Sequence, residues 1–497
     1  MQNHETVKMA LDTSAVVTRA IVQQEFERAL GAIQARVFTS GSSGASASAP
    51  ADHAATLAIA YSGGLDSTVL LHLAHAYAAS RQISLLAFHV HHGLSANADA
   101  WLMHCREQCA TLGVAFDARQ VKIASKEKSG IEEAARLKRY AALGAMCVAH
   151  QAPLLLTAHH QDDQAETVLL QLLRGSGVAG LSGMDSVNHA ADLLGDASLL
   201  MGRPLLQLTR EQLESYCSQH RLSFVEDESN QDPRYARNAL RQHVMPILQQ
   251  YFPGFQRRLS RTAQHAQSAQ QLLITLAAQD LATCMEGECL LVAKLQSFDD
   301  ERIDNMLRYW FGLRGVRMPS TSWLQEVRSQ LLQAKHDAQV CVTHADCHIR
   351  RHRDRVFITS RDDAPDPDIE ALTFQWDGSP AMHFARFGGT LYFDRAESGM
   401  DVTSLRAQML TLRLRSGGER LKPAFNRPTK SLKYHYQACD VPAWERLRLP
   451  LLFNGKTLLF AAGIGMDCHA LADDSGNEKN DAGRISLRWE FDRQRVA

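Results

Sequence analysis

Apolar and polar positions alternate with different periods along the chain. Between residues 16 and 38, Val22, Phe26, Ala29, Leu30, Ile33 and Val37 fall mostly three or four positions apart, which predicts one face of a helix. The stretch TSGSSGASASAP from Thr39 to Pro50 breaks that pattern with small polar residues. These cannot bury enough surface to offset their ordering entropy, so residues 39–52 read as a flexible linker behind a helical extension. From Ala55 onward, apolar runs take turns with helical periodicity. TLAIAYSGG leads into a predicted helix from residue 66 to 79, ISLLAFHVHHG into one from 97 to 112, VAFDARQV into one from 131 to 150, and APLLLTAHH into one from 162 to 173. Buried strands separated by helices predict an α/β unit with a parallel sheet covered on both faces, whose ligands collect at the carboxyl ends of the strands.

After about Leu240 the pattern becomes mostly helical, through QQYFPGFQRRLSRTAQHAQSAQQLLITLAAQ and DDERIDNMLRYWFGLRG, and ends in strand-like pieces. RDDAPDPDIEA from Arg361 reads as a connection. LTLRLR, RLPLLFNGKTLLFAAGIG and ISLRWEF then predict a small α+β domain, with Asn454-Gly455 as a hairpin signal between two apolar runs. The resulting division is 1–52 extension and linker, 53–240 nucleotide-binding domain, 241–400 mostly helical domain with its connection, and 401–497 C-terminal domain.

The length of 497 residues agrees with about three domains of roughly 150 residues each. Lys and Arg number 53 against 54 Asp and Glu, so the net charge of -1 announces no polyanionic partner. No run of about 18 uninterrupted apolar residues offers a membrane span, and the first residues lack a secretory layout, which predicts a cytoplasmic protein without membrane contact. Ten cysteines are scattered without C-x-x-C pairs, as free thiols in a reducing compartment would be.

The strongest chemical signal is Ser62-Gly63-Gly64-Leu65-Asp66-Ser67, between a buried strand and a helix. Two glycines let the backbone turn sharply, and the helix directs its positive end at the same point, which makes a phosphate cradle. The hydroxyls of Ser62 and Ser67 can donate to phosphate oxygens, while Asp66 offers an oxygen to a phosphate-bridging Mg2+. A Walker-type loop fails, because Gly455-Lys456-Thr457 would need glycine where Pro450 stands. The Ser62 to Ser67 segment instead resembles the loop of the ATP-pyrophosphatase family. That resemblance implies ATP as co-substrate, cleaved at its α-phosphorus to leave AMP on a substrate oxygen.

Downstream, His159-His160-Gln161-Asp162-Asp163-Gln164-Ala165-Glu166 follows the fourth strand. Asp162 and Asp163 lie four and three residues before Glu166 and can share a helix face with it. Helix capping would account for the acids alone. Beside a phosphate loop, however, they invite an amine or a metal, and His159 could take up a proton. Arg136 and Arg139, three apart, could stabilise charge growing on an α-phosphate. His89, His91 and His92 at the second strand's end suit phosphate or base contacts better than zinc, since no cysteine accompanies them.

SGGLDS, HVHHGL (89–94), EEAARLKRY (132–140), TAHHQDDQAET (157–167), LLRGSGVAGLSGM (172–184), RPLL (203–206) and EDESNQDPRYARNALR (226–241) together resemble the tRNA(Ile)-lysidine synthetase family in its long bacterial form. The resemblance covers nearly everything after Ala55, and the extension before it departs from the family pattern. It implies ATP-dependent ligation of L-lysine to C2 of the wobble cytidine in the CAU anticodon of tRNA(Ile). In that scheme Ser62, Gly63, Gly64, Leu65, Asp66 and Ser67 bind ATP, Asp66 assists through Mg2+, and Arg136 or Arg139 supports the α-phosphate. His159, Asp163 and Glu166 fall where the family holds lysine.

An RNA substrate redirects attention from total to local charge. Arg413, Arg415, Arg420, Lys422, Arg427, Lys430 and Lys433 stand against Glu419 alone, a strip suited to phosphate contacts on an acceptor stem. Arg234, Tyr235, Arg237 and Arg241 could grip the anticodon loop. Homodimerisation is left open. The alternatives are a tRNA-thiolating enzyme of the same loop family, which needs paired cysteines that Cys105 and Cys109 match poorly, and a non-catalytic RNA-binding scaffold.

Overall fold

The computed structural model describes residues 19–37, 56–91, 93, 95–122, 131–226, 228, 236–335, 338, 340–361, 369–471 and 483–492. The chain forms two compact units, Met1–Leu272 and Leu273–Ala497, divided within the helix Phe255–Cys284. Among the described residues no helix is long and apolar enough to cross a membrane.

The first unit is built on a six-stranded sheet of β1 (Thr56–Ala60), β2 (Ser84–His91), β3 (Ala115–Gln120), β4 (Leu154–Leu156), β5 (Val187–His189) and β6 (Leu200–Gly202). Its order is β3-β2-β1-β4-β6-β5. All pairings are parallel except that of β5 with β6, a short antiparallel pair that the alternation did not announce. The order reverses between β1 and β4, and such a switch point opens a crevice at the strands' carboxyl ends. The helices Leu65–Arg81, Ala98–Leu112, Ile131–Ala149 and Gln161–Leu173 each lie within two residues of their predicted bounds.

Residues 19–37 form the predicted helix, but it is no separate extension. Val22, Phe26, Leu30 and Ile33 are buried in one core with Leu57, Ile59, Leu154 and Leu156 from the sheet. Phe26 meets Tyr77 edge to face at 6.2 Å, and the Tyr77 hydroxyl donates to Gln34 Oε1 at 2.7 Å. A parallel sheet needs both faces covered, and this amphipathic helix supplies part of that cover. The predicted linker, 39–52, lies outside the described residues.

In the second unit the helices Asp300–Leu313 and Thr321–Gln333 pack with a five-stranded sheet that includes Val340–Thr343, Cys347–His352 and Arg355–Ser360. The C-terminal part holds further sheets. Leu372–Gln375 pairs with Met409–Arg413, and Gly389–Ala396 pairs with Arg484–Phe491. A boundary at 400/401 would therefore cut through both sheets; the strands on its two sides share one core. The hairpin turn lies one residue later than its sequence signal, because Asn454 pairs with Thr457 and the loop residues are Gly455 and Lys456.

Candidate active site

At the end of β1 the chain enters the turn Ser62–Ser67. Gly63 has φ +86, and a Cβ there would lie 2.8 Å from Cys105 Sγ and 3.1 Å from Val225 Cγ2, so both backbone conformation and packing require glycine. Ser67 Oγ donates to the Gly64 carbonyl (2.9 Å) and lies 3.1 Å from Ser62 Oγ, which holds both hydroxyls at the start of the 17-residue helix Leu65–Arg81. Asp66 in its first turn receives Arg210 Nη1 at 2.7 and 2.6 Å on its two oxygens.

The end of β4 brings the second group of residues to the same place. His160 caps the helix Gln161–Leu173: its ring accepts from the Asp162 N–H (3.3 Å), and Asp163 Oδ2 accepts from the His160 N–H (3.1 Å). The acids thus do cap the helix, yet their remaining oxygens face other charges. His160 Nε2 lies 3.4 Å from Asp163 and 3.7 Å from Asp66. Burial works against its proton, but Asp162, Asp163 and Asp66 outweigh burial and raise its pKa. Burial likewise opposes ionisation of Asp163, and neighbouring positive charge, from His160 first and also from Arg237, overcomes it and holds that carboxyl below its ordinary value. For Asp66 burial wins over His160 and Arg210, which makes it less acidic than Asp162 and Asp163.

Glu166 is fully buried and carries two guanidiniums. Arg237 Nε donates to Oε2 at 2.7 Å; Arg241 donates through Nε to Oε1 at 2.7 Å and through Nη2 to Oε2 at 3.0 Å. Both arginines also approach Asp163, at 3.5 and 3.4 Å. Residues expected to face RNA therefore occupy, in the free chain, the carboxylates expected to face lysine. Arg234 and Tyr235 lie outside the described residues. The carboxylates Asp66, Asp162, Asp163 and Glu166 are thus paired with Arg210, Arg237, Arg241 and the His160 ring rather than left bare.

Of the paired histidines, His160 rather than His159 sits among the acids. His159 Nδ1 is 2.9 Å from Thr157 Oγ1, and burial pushes its pKa well down, leaving a neutral ring. Both line a cavity of about 860 Å3 with Ser62, Asp66, Glu166 and Arg241. Arg139 also lines it and Arg136 does not; each guanidinium lies near the Tyr140 ring, at 5.3 and 5.7 Å. His91 bonds Asp99 (3.0 Å) and His89 lies 3.0 Å from the Tyr61 carbonyl, while His92 is outside the described residues. Arg210, unremarked in the sequence, bonds Glu214 as well as Asp66.

Mg2+ is held mainly by phosphate oxygens and water and needs only one or two carboxylates from a protein. Asp66, in the first turn after the phosphate loop, fits that limited demand. Because both its oxygens accept from Arg210, metal and guanidinium would compete for them.

The parallel sheet, its switch point and the glycine turn define an ATP-binding protein of the PP-loop class, and residues 36–248 match the PP-loop domain family. Residues 290–357 match the TilS substrate binding domain and 410–489 the TilS substrate C-terminal domain. The chain is 42% identical over 430 residues to the tRNA(Ile)-lysidine synthase of Ralstonia nicotianae, covering 85% of this chain and 91% of that one. Its identity to the same enzyme of Nitrosomonas europaea is 36% over 414 residues, covering 83% and 88%. The chain belongs to the tRNA(Ile)-lysidine synthase family.

The thiolase alternative is not favoured by the chemistry either. Cys105 and Cys109 are fully buried free thiols, and burial pushes both to about 12, far from the thiolate that sulfur transfer needs.

Proposed function

We propose that the chain ligates L-lysine to C2 of the wobble cytidine in the CAU anticodon of tRNA(Ile), using ATP. The observation that carries this reading is the meeting, in one cavity, of a phosphate-binding turn at the end of β1 and a charged helix start at the end of β4. Cytosine O2 attacks the α-phosphorus and pyrophosphate leaves; the lysine ε-amine then attacks C2, and AMP leaves with the O2 oxygen.

Ser62, Ser67 and the backbone of Gly63 and Gly64 hold the pyrophosphate end of ATP, helped by the helix start. Arg139, which lines the cavity, is the better placed of the two arginines to meet the α-phosphate. A lysine ammonium is held by Asp163 and Glu166 once a guanidinium gives way, with the neutral His159 ring beside it to orient rather than deprotonate the amine. Mg2+, where bound at Asp66, supplies charge to the departing pyrophosphate.

The basic strip serves the tRNA, though not all of it equally. Arg413 is committed to Glu419 (3.1 Å) and lies over Phe453 at 4.1 Å, which leaves Arg415, Arg420, Lys422, Arg427, Lys430 and Lys433 for phosphate contacts. The test is transfer of labelled lysine into tRNA(Ile) bearing CAU, dependent on ATP and Mg2+. Sulfur incorporation, or no lysine transfer by pure protein, would overturn the reading.

A further inference from the structure

Two exposed aromatic rings lie on the most basic part of the C-terminal sheets. Arg420–Leu421 and Lys430–Ser431 form a short antiparallel pair, and the loop between them carries Phe425 at 60% exposure. The helix Leu432–Ala438, which follows at once, carries Tyr434 at 52%. A single exposed ring is ordinary on a protein surface. These two differ because each has an ammonium beside it: Lys422 Nζ is 6.0 Å from the Phe425 centroid and Lys430 Nζ 4.9 Å from that of Tyr434.

The support beneath them is fixed. The Lys422 N–H donates to Asp467 Oδ2 at 2.8 Å, the Cys468 N–H to the Lys422 carbonyl at 2.8 Å, and Leu421 and Leu432 are buried. Buried His435 bonds the Leu421 carbonyl at 2.9 Å. Glu419, the segment's single acid, is already taken by Arg413. Cations along this segment suit RNA phosphates, but phosphates give an aromatic ring nothing to stack on. The side of a duplex does not either, since its bases are stacked on one another. Base faces are open at a duplex end and along the single strand that continues from it.

We propose that Phe425 and Tyr434 stack on unpaired nucleobases where an RNA duplex ends, and that the flanking lysines hold the adjoining phosphates. This rests on the reading of the chain as a tRNA-modifying enzyme. In a tRNA the open duplex end is that of the acceptor stem, so the bases are those of the single-stranded 3′ tail.

The experiment measures binding by the full chain of a tRNA(Ile) transcript with and without its unpaired 3′ nucleotides, over a series of salt concentrations. Base stacking contributes about 1–3 kcal/mol per base, so Phe425→Leu or Tyr434→Leu should each weaken binding of the complete transcript by roughly 5- to 150-fold. The salt slope should stay unchanged, because no phosphate contact is removed. Removing the tail should weaken the wild type similarly and add little to either variant, while Tyr434→Phe should bind as the wild type does. Unchanged affinity in both leucine variants, or additive losses on tail removal, overturns the stacking role. Wild-type chain that neither binds the tRNA nor transfers lysine overturns instead the functional reading on which it stands.

Discussion

Arg241→Ala should tighten the binding of free lysine to the chain, although it removes a charge that lines the cavity. In the free chain Arg241 makes two charge-assisted hydrogen bonds to Glu166, at 2.7 and 3.0 Å, and Arg237 makes a third at 2.7 Å. A lysine ammonium placed on Glu166 must displace one of the two guanidiniums. Each such bond contributes about 1.5–3 kcal/mol. The Arg241 side chain is 44% exposed, so water screens the contact and roughly one bond's worth is the fitting figure for both together. Removing that competitor should lower the lysine Kd by about 10- to 150-fold. Arg237 stays on Glu166, so the buried carboxylate keeps a counter-ion and the fold should survive. Calorimetric titration of wild type and variant with lysine, backed by near-ultraviolet circular dichroism, reads the outcome. Equal or weaker lysine binding by a folded Arg241→Ala chain would refute the competition and make the guanidinium part of the lysine site.

Three further outcomes follow from the geometry. Gly63→Ala should lose ATP binding, since its φ of +86 costs an alanine about 1–3 kcal/mol and its Cβ meets the buried Cys105 sulfur; retained binding in a nucleotide titration would contradict this. Phe26→Ala should destabilise the first unit by about 3–5 kcal/mol, and an unchanged thermal transition would return residues 19–37 to the status of an appendage. Because the folded pKa of His160 is raised, its stabilising contribution is fully present below about pH 6.5, the ordinary histidine value, and is lost as pH rises through the raised one. Urea midpoints should therefore fall as pH rises above about 6.5 in wild type and less steeply in His160→Gln; parallel curves would count against the ion cluster.

What could be seen in the sequence was local. The turn from Ser62 to Ser67 and the acids from Asp162 to Glu166 are contiguous, and strand and helix periods sit in single windows, so the sheet and its carboxyl-end crevice followed. Charge partners far apart in sequence were hidden. Arg210 meets Asp66 across 144 positions, and Arg237 and Arg241 meet Glu166 across 71 and 75, with nothing local to mark them as internal ion pairs rather than RNA ligands. The choice between His159 and His160 depended on backbone direction at a helix cap, which residue type does not encode. For residues 19–37 the apolar stripe was plain, but that it covers the sheet became visible only with Ile33 lying against Gly202, where a Cβ would come within 3.3 Å of it.

The pairing of the carboxylate cluster also bears on which nucleophiles an adenylated base meets. Cells are rich in small amines, from ammonium to polyamines, and an activated carbon is open to any that linger beside it. A bare set of four carboxylates would concentrate all of them without discrimination, by long-range attraction. With Arg210, Arg237, Arg241 and His160 already in place, that attraction is weakened, and an amine reaches Glu166 or Asp66 by parting an existing ion pair. On the proposed reaction, the resident guanidiniums would filter out stray amines, leaving entry to a molecule whose other contacts offset the lost ion pair.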